Sequence, residues 1–177
     1  MTGKTHLAAG LLCGEAIVLT QNITRVSEVA FVIAAAAVGS LLPDIDHPQS
    51  MMATSNRTTR TVSSVVCSVT QHRGFTHTLV FSVLMWFLAM RLAAHLDAIS
   101  NYVVMSLTIG LFSHLFLDTL NEKGVMWFWP VYRKHIHVMK IRTGSSVEGL
   151  LRLIINLAAT VGIGMILVEQ VKLFHAP

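Results

Sequence analysis

The sequence predicts an all-α integral membrane protein, a polytopic helix bundle of four or five spans that forms one domain over residues 1–177. Apolar residues make up 53% of the chain and charged residues only 12%, about half the charged share of soluble domains. The mean hydropathy is +0.62. The apolar residues fall in long blocks rather than in an alternating pattern, which is typical of membrane-spanning helices.

Five apolar segments predict the helices, at about 6–23, 26–42, 78–96, 99–120 and 149–171. The first is just long enough to span, but it contains Glu15, so it is either an interior-facing span or a partly inserted helix. This ambiguity leaves the count at four or five. In the second, four consecutive alanines and Gly39 form a small surface that lets helices pack closely in lipid, and Pro43 ends the helix.

Two polar stretches interrupt the apolar segments. Residues 49–71 are rich in Ser, Thr and Met and predict a loop with a short helix over 62–69. Residues 121–148 carry Trp127 and Trp129 close to Arg133 and Lys134, and aromatic residues beside basic ones indicate the headgroup level of a bilayer. The net charge of +4 therefore points to anionic membrane lipids as partners rather than to nucleic acid.

The distribution of basic residues predicts the orientation of the bundle. With five spans, the N-terminus and the loops 48–77 and 121–148 lie on one side. That side carries most of the basic residues, namely Lys4, Arg57, Arg60, Arg73, Lys123, Arg133, Lys134, Lys140 and Arg142. The opposite side has only Arg25 and Lys172, with Arg91 near a helix end. The positive-inside rule therefore places both loops in the cytoplasm.

The segment over residues 113–118 carries the most informative pair of polar residues. His114 and Asp118 are four residues apart, so on a helix they share one face. An imidazole and a carboxylate converging there are suitable metal ligands, and both are costly to place in hydrocarbon without a compensating partner. The pair could instead be hydrogen-bonded and hold two helices together.

Further imidazoles and carboxylates lie at the same, cytoplasmic, ends of their predicted segments: His6, Asp44, Asp46, His47, His72, His77 and Glu148. Imidazole nitrogen and carboxylate oxygen are ligands of zinc and manganese. Cys13 and Cys67 have no metal-type spacing, which disfavours a closed thiolate site. The set predicts a catalytic kind of site with one to three divalent ions, zinc being the first expectation and manganese or iron the alternatives.

Each candidate also has a structural interpretation when it is considered alone. Asp44 and Asp46 follow a proline and could be turn residues. Thr76 could cap the third span, which would leave the histidines beside it at the membrane interface. His6 could mark a span boundary, and Glu148 could favour a helix N-terminus. The sorting of all these residues to one face favours the metal interpretation.

These residues resemble a known family. The stretches 42–47 (LPDIDH), 72–77 (HRGFTH) and 114–118 (HLFLD) together resemble the YdjM-like family of LexA-regulated, membrane-bound metal-dependent hydrolases of the bacterial inner membrane. The resemblance extends from Thr5 to Glu148. More distantly, the order Asp, His, His-x-x-x-Asp and late Glu is similar to the all-helical zinc-dependent phospholipase C and S1/P1 nuclease group, whose metal clusters activate water against a phosphoester.

The resemblance implies hydrolysis of a phosphoester, in a lipid or another membrane-proximal substrate, and LexA regulation implies a role in the SOS response. The core ligands would be Asp44, Asp46, His72, His77, His114 and Asp118, with His6, His47 and Glu148 as further candidates. Asp44 or Glu148 could accept the proton of water, and Arg73 could hold the phosphate.

Two other classes of function remain open. The first is a non-enzymatic protein that binds or transports a divalent ion, although transport sites tend to lie near the bilayer midplane in broken helices. The second is a purely structural polar network, which predicts no bound metal.

Overall fold

A computed structural model describes residues 1–70, 73–96 and 100–175, and within these residues the chain is helical with no β-strand. The all-α class predicted from the sequence is confirmed. Two 3₁₀ segments, Leu42–Asp46 and Phe75–His77, accompany the helices. The seven α-helices of the described residues are α1 (Gly3–Thr20), α2 (Val26–Leu41), α3 (Met51–Thr54), α4 (Arg57–Val69), α5 (Leu79–His95), α6 (Asn101–Thr119) and α7 (Ser146–Phe174).

Each of the five predicted apolar segments coincides with a helix, and the ends differ by a few residues. Among the described residues, three helices are long and apolar enough to cross a membrane: Val26–Asp46, which is α2 with its 3₁₀ extension, α6 and α7. Helix α5 is apolar but has only 17 residues. Helix α1, which carries Glu15, is not among the three. The count of four or five spans therefore stays a prediction.

Helices α1, α2 and α6 pack against one another at the centre, α7 packs on α1, and α5 packs on α6. The backbones of α2 and α6 approach closely because each contributes a glycine to the contact. A Cβ atom at Gly39 would collide with the carbonyl group of Leu107, and one at Gly110 would collide with the carbonyl oxygen of Ala36. Small residues allow such close packing between helices in lipid.

The outer faces of α5 and α7 are apolar and uncovered in the described chain. Leu88 on α5 is 57% exposed, and Leu157 and Val161 on α7 are 59% and 64% exposed. Large contiguous apolar surfaces of this kind mark contact with a membrane or a partner. Helix α7 has the length and hydropathy of a membrane span, which identifies its uncovered apolar face as lipid-facing.

The two polar stretches are more structured than the sequence predicted. Residues 49–71 contain α3 and α4, and α4 begins five residues before the predicted helix 62–69. Two isolated bridges, Asn121 with Ile141 and Val125 with Ile136, hold the connection between α6 and α7 in a defined shape. This connection contributes one wall of the site described below.

The close packing of α2 on α6 generates a prediction for Gly110→Ala. The added methyl group would meet the Ala36 carbonyl oxygen, and overpacking of this kind costs about 1–3 kcal/mol. We expect a lower unfolding temperature in detergent, measured by circular dichroism. Gly164→Ala is the matched control, because nothing lies within 4 Å of a Cβ at Gly164. Equal unfolding temperatures for the two variants would contradict the proposed contact.

Candidate metal centre

His114 is fully buried on α6, and its ring is oriented by the end of α2. The Nδ1–H group donates a hydrogen bond of 2.7 Å to the carbonyl oxygen of Ser40. A carbonyl oxygen can only accept, so the proton lies on Nδ1 and the lone pair lies on Nε2. The Nε2 atom of His114 therefore faces the interior of the site as a potential ligand.

His77 is oriented in the same way by a carboxylate. Its Nδ1 atom lies 3.4 Å from Asp46 Oδ2 and 3.0 Å from Thr76 Oγ1. The Thr76 hydroxyl donates to the same Asp46 oxygen at 2.5 Å, so it can accept from the imidazole. Thr78, not Thr76, caps α5 by accepting from the Phe81 N–H group. Asp46 thus supports the outward nitrogen of His77 and leaves Nε2 facing the site.

The inward nitrogens of His77 and His114 lie 3.2 Å apart. Two lone pairs at this distance repel each other, so a cation is required between or beside them. In the metal-free protein a proton fills this role. Burial by itself would lower the pKa of His77, but hydrogen bonds to Asp44 and Asp46 outweigh it and raise this pKa to about 9. A divalent ion could replace that proton.

Asp44 completes the first group of metal-competent atoms. Its Oδ1 atom lies 3.5 Å from His77 Nε2 and 3.8 Å from His114 Nε2. A tetrahedral zinc ion with bonds of about 2.0–2.1 Å requires ligand atoms roughly 3.3 Å apart. The distances between these three atoms are close to that requirement. Asp118 Oδ2 lies nearby, 3.9 Å from His77 Nε2 and 3.8 Å from His114 Nε2.

His6 and Asp118 form a second group with His114. The rings of His6 and His114 stack with centroids 3.7 Å apart, and His6 Nε2 lies 3.3 Å from Asp118 Oδ1. Within the described residues both His6 nitrogens are buried without a well-formed hydrogen bond, which is costly unless a ligand satisfies them. The ligand atoms of each group lie within 4.8 Å of one another. Because both groups share His114 Nε2, which has one lone pair, only one ion at a time can bind it.

Arg73 connects the centre to its surroundings. Its Nη2 atom donates to Asp118 Oδ2 at 2.8 Å, Nη1 donates to the Gly124 carbonyl at 3.0 Å, and its backbone N–H donates to Asp46 Oδ2 at 3.1 Å. Its φ of +62° is uncommon for a residue other than glycine. The predicted phosphate-binding arginine thus already holds two carboxylates, while its Nε atom is buried and has no partner in the part of the chain that the structure describes.

A cleft of about 560 Å³ opens beside the first group, and Asp44 and Arg73 line both the centre and the cleft. The cleft has a basic wall, which we define as Lys4, Lys123 and Arg152. Among the described residues none of these three cations is paired with a carboxylate. In the sequence, Lys4 and Lys123 served only to predict the orientation of the bundle, and Arg152 near the start of α7 was an available signal for a polar site.

Glu148 lies outside both groups of metal-competent residues. Its Oε1 atom accepts hydrogen bonds from the Thr2 N–H group (2.6 Å), the Thr2 hydroxyl (2.8 Å) and the Thr5 hydroxyl (2.7 Å). Its Oε2 atom accepts from the Gly144 N–H group at 2.6 Å. The carboxylate therefore fastens the start of α1, next to His6, to the start of α7.

Two of the predicted ligands remain, His47 and His72. His47 lines the cleft, where its Nδ1 atom accepts a hydrogen bond from the Gln49 N–H group, but it belongs to neither group of metal-competent residues. His72 lies outside the described residues. The structure thus brings together His6, Asp44, His77, His114 and Asp118, with Asp46 in support.

Metal content can test this assignment. We expect His114→Ala and Asp118→Ala to lose bound zinc, manganese or iron while still inserting into the membrane, because each removes a ligand atom. Asp46→Asn should weaken metal affinity about 10–100-fold, as supporting residues of ligands do. Inductively coupled plasma mass spectrometry of the detergent-purified protein measures the metal content of the first two variants, and titration with the metal measures the affinity of Asp46→Asn. His135→Ala, an imidazole in an exposed loop, should keep full occupancy, and full occupancy in both ligand variants would contradict the centre.

The raised pKa of His77 gives a second prediction. Because a bound ion must displace the proton of His77, each binding event should release a proton at neutral pH. Apparent metal affinity should then rise with pH and level off near pH 9. Asp46→Asn removes one of the carboxylates that raise this pKa, so it should move the plateau to lower pH. Titration with zinc in weak buffer measures the released protons, and an affinity independent of pH would contradict the coupling.

Comparison with known proteins places this geometry in a family. The family model described as YdjM inner membrane protein matches residues 1–173. The chain is 33% identical over 159 residues to YvsG of Bacillus subtilis, which covers 90% of this chain and 92% of YvsG. It is 28% identical over 165 residues to the inner membrane protein YdjM of Escherichia coli and to that of Shigella flexneri, covering 84% of this chain and 76% of each relative.

No solved structure matches the chain. The family match covers nearly all of the sequence, including both groups of metal-competent residues. The chain belongs to the YdjM family of inner membrane proteins.

Proposed function

We propose that this chain is a metal-dependent hydrolase that cleaves a phosphoester in a lipid or in another substrate at the membrane surface. One observation carries the proposal. A group of three metal-competent atoms, on Asp44, His77 and His114, opens through Asp44 to a cleft with a basic wall. A catalytic metal site of this kind has three protein ligands and an open position.

Asp44, His77 and His114 would hold the ion, and His6 and Asp118 are the further candidate ligands beside it. When bound, a divalent ion would lower the pKa of water from ~15.7 toward ~7 and would polarise a phosphoryl oxygen. We favour zinc, because two imidazoles and one carboxylate are its usual catalytic ligands. Manganese or iron also accept nitrogen and oxygen ligands.

Asp44 is the better candidate for accepting a proton from water in the cleft, through the carboxylate oxygen that does not face the two imidazoles. It lines the cleft, and its side chain is 15% exposed, so water can reach it. Glu148 was the other candidate, but both of its oxygens already accept hydrogen bonds from the protein. A general base needs a free lone pair within reach of the proton it removes.

The basic wall favours an anionic substrate. A phosphoester brings negative oxygens into the cleft, and Lys4, Lys123 and Arg152 offer cations that carboxylates of the described chain do not neutralise. Arg73 is already engaged with Asp118 and Gly124. We therefore assign Arg73 to positioning Asp118 and the basic wall to holding the phosphoryl group.

The location of the centre suits a lipid substrate. The ligands lie at the ends of α2 and α6, not midway along them, and a headgroup at that depth could be cleaved without leaving the bilayer. By the positive-inside rule we infer that the site faces the cytoplasm. If LexA regulation applies as in the family that it resembles, the enzyme would remodel membrane lipids after DNA damage.

Turnover of model substrates tests the proposal. We expect zinc-loaded protein in detergent to hydrolyse bis-p-nitrophenyl phosphate, p-nitrophenyl phosphate or a phospholipid, and His114→Ala to abolish the reaction. Arg152→Ala removes a charge-assisted contact worth about 1.5–3 kcal/mol, so KM should rise roughly tenfold or more with kcat largely kept. The matched control is Lys134→Ala, which removes an exposed cation that does not line the cleft.

Two outcomes would contradict the proposal. A metal-loaded protein without turnover of any phosphoester would favour the ion-binding or ion-transport alternative. A rise in KM for Lys134→Ala equal to that for Arg152→Ala would show that the general charge of the protein, not the basic wall, attracts the substrate.

A further inference from the structure

Helix α4, Arg57–Val69, has an unusual distribution of polar and apolar side chains. Val62, Val65 and Val66 recur at spacings of three and four residues, so they share one face of the helix. Arg57 and Arg60 lie on a different face. The Asn56 side chain caps the helix by accepting from the Thr59 N–H group at 2.9 Å. The helix is therefore amphipathic and has a well-defined beginning.

The burial of this helix is the reverse of that expected in water. Ser63 is only 1% exposed, whereas Val62 and Val65 are 48% and 61% exposed. A helix at a water-covered surface buries its valines and leaves its serines exposed. Here Ser63 faces the protein, whereas Val62 and Val65 face outward. This inversion indicates an apolar environment around the valine face.

The position of α4 identifies that environment. The helix packs on α3 and on the 3₁₀ segment Leu42–Asp46, which is the last part of the candidate span Val26–Asp46. Helix α4 therefore lies beside the end of a membrane span, at the level where the hydrocarbon core gives way to headgroups.

We propose that α4 lies in the membrane–water interface, with Val62 and Val65 at the acyl-chain boundary and with Arg57 and Arg60 at the level of the lipid phosphates. Among the described residues neither arginine is paired with a carboxylate, so both are available to anionic headgroups. An apolar face, a polar face and basic residues on the polar side are the features of helices that bind anionic bilayers in this way.

This inference stands apart from the hydrolase proposal, because it requires neither metal nor turnover. It does have a consequence for the candidate metal centre. The segment Leu42–Asp46 carries Asp44 and packs directly on α4. An interfacial α4 would hold Asp44 at headgroup depth, whatever chemistry the centre performs.

Collision accessibility of spin labels tests the depth of each face. In a full-length chain with Cys13→Ala and Cys67→Ala, single labels are placed by Val65→Cys or, as the matched control one residue earlier, by Ser64→Cys. Val62→Cys provides a second label on the valine face if the first variant folds poorly. Each variant is reconstituted in vesicles of equal parts phosphatidylglycerol and phosphatidylethanolamine, and metal content or thermal unfolding verifies the fold.

Labels at 65 and 62 should collide several-fold more often with molecular oxygen, which concentrates in hydrocarbon, than with a water-soluble nickel chelate. The label at 64 should show the opposite preference. Nickel accessibility at 65 and 62 equal to that at 64 would overturn the proposal, because α4 would then lie in water. Shielding of 65 and 62 from both reagents would also overturn it, because protein would then cover the valine face.

Discussion

The hydrogen bond from His114 to the Ser40 carbonyl oxygen is the interaction on which the rest of the centre depends. Ser40 lies in the last turn of α2, where carbonyl groups have no partner within the helix and where low dielectric makes an unpaired carbonyl costly. The bond satisfies that carbonyl and fixes the proton of His114 on Nδ1. It can form only because Gly39 and Gly110 let the backbones of α2 and α6 approach closely. Helix packing therefore determines the direction of the inward nitrogen.

Charge balance is the second constraint on this centre. Buried carboxylates and imidazoles are strongly unfavourable near a bilayer unless each is paired. Arg73 compensates part of the negative charge, because its backbone N–H donates to Asp46 and its guanidinium donates to Asp118. Its left-handed backbone conformation lets one residue reach both carboxylates, and strain of this kind concentrates at functional sites. Proton or metal compensates the remaining charge between His77 and His114.

The sequence indicated a set of imidazoles and carboxylates at one end of the helices, but not which of their atoms would face the centre. Hydropathy identified the long helices, and four-residue spacing paired His114 with Asp118. Asp46 was predicted as a core ligand and Glu148 as a further candidate, because residue type and segment end were the only signals for either. In the structure Asp46 supports the outer nitrogen of His77, and Glu148 holds the start of α1. Such roles depend on tautomers and on loop paths, and periodicity contains no information about either.

The 3₁₀ segment Leu42–Asp46 connects the candidate metal centre to helix α4. On one side it presents Asp44 to the inward nitrogens of His77 and His114, and on the other it packs on α4. His114 is fixed by the rigid contact of α2 with α6, whereas Asp44 lies beyond the end of α2 in a segment that α4 supports. A shift of α4 would therefore move the carboxylate relative to the imidazole. Because ligand distances at a zinc centre tolerate changes of only about 0.2 Å, contact of α4 with lipid would directly affect whether the centre can close around an ion.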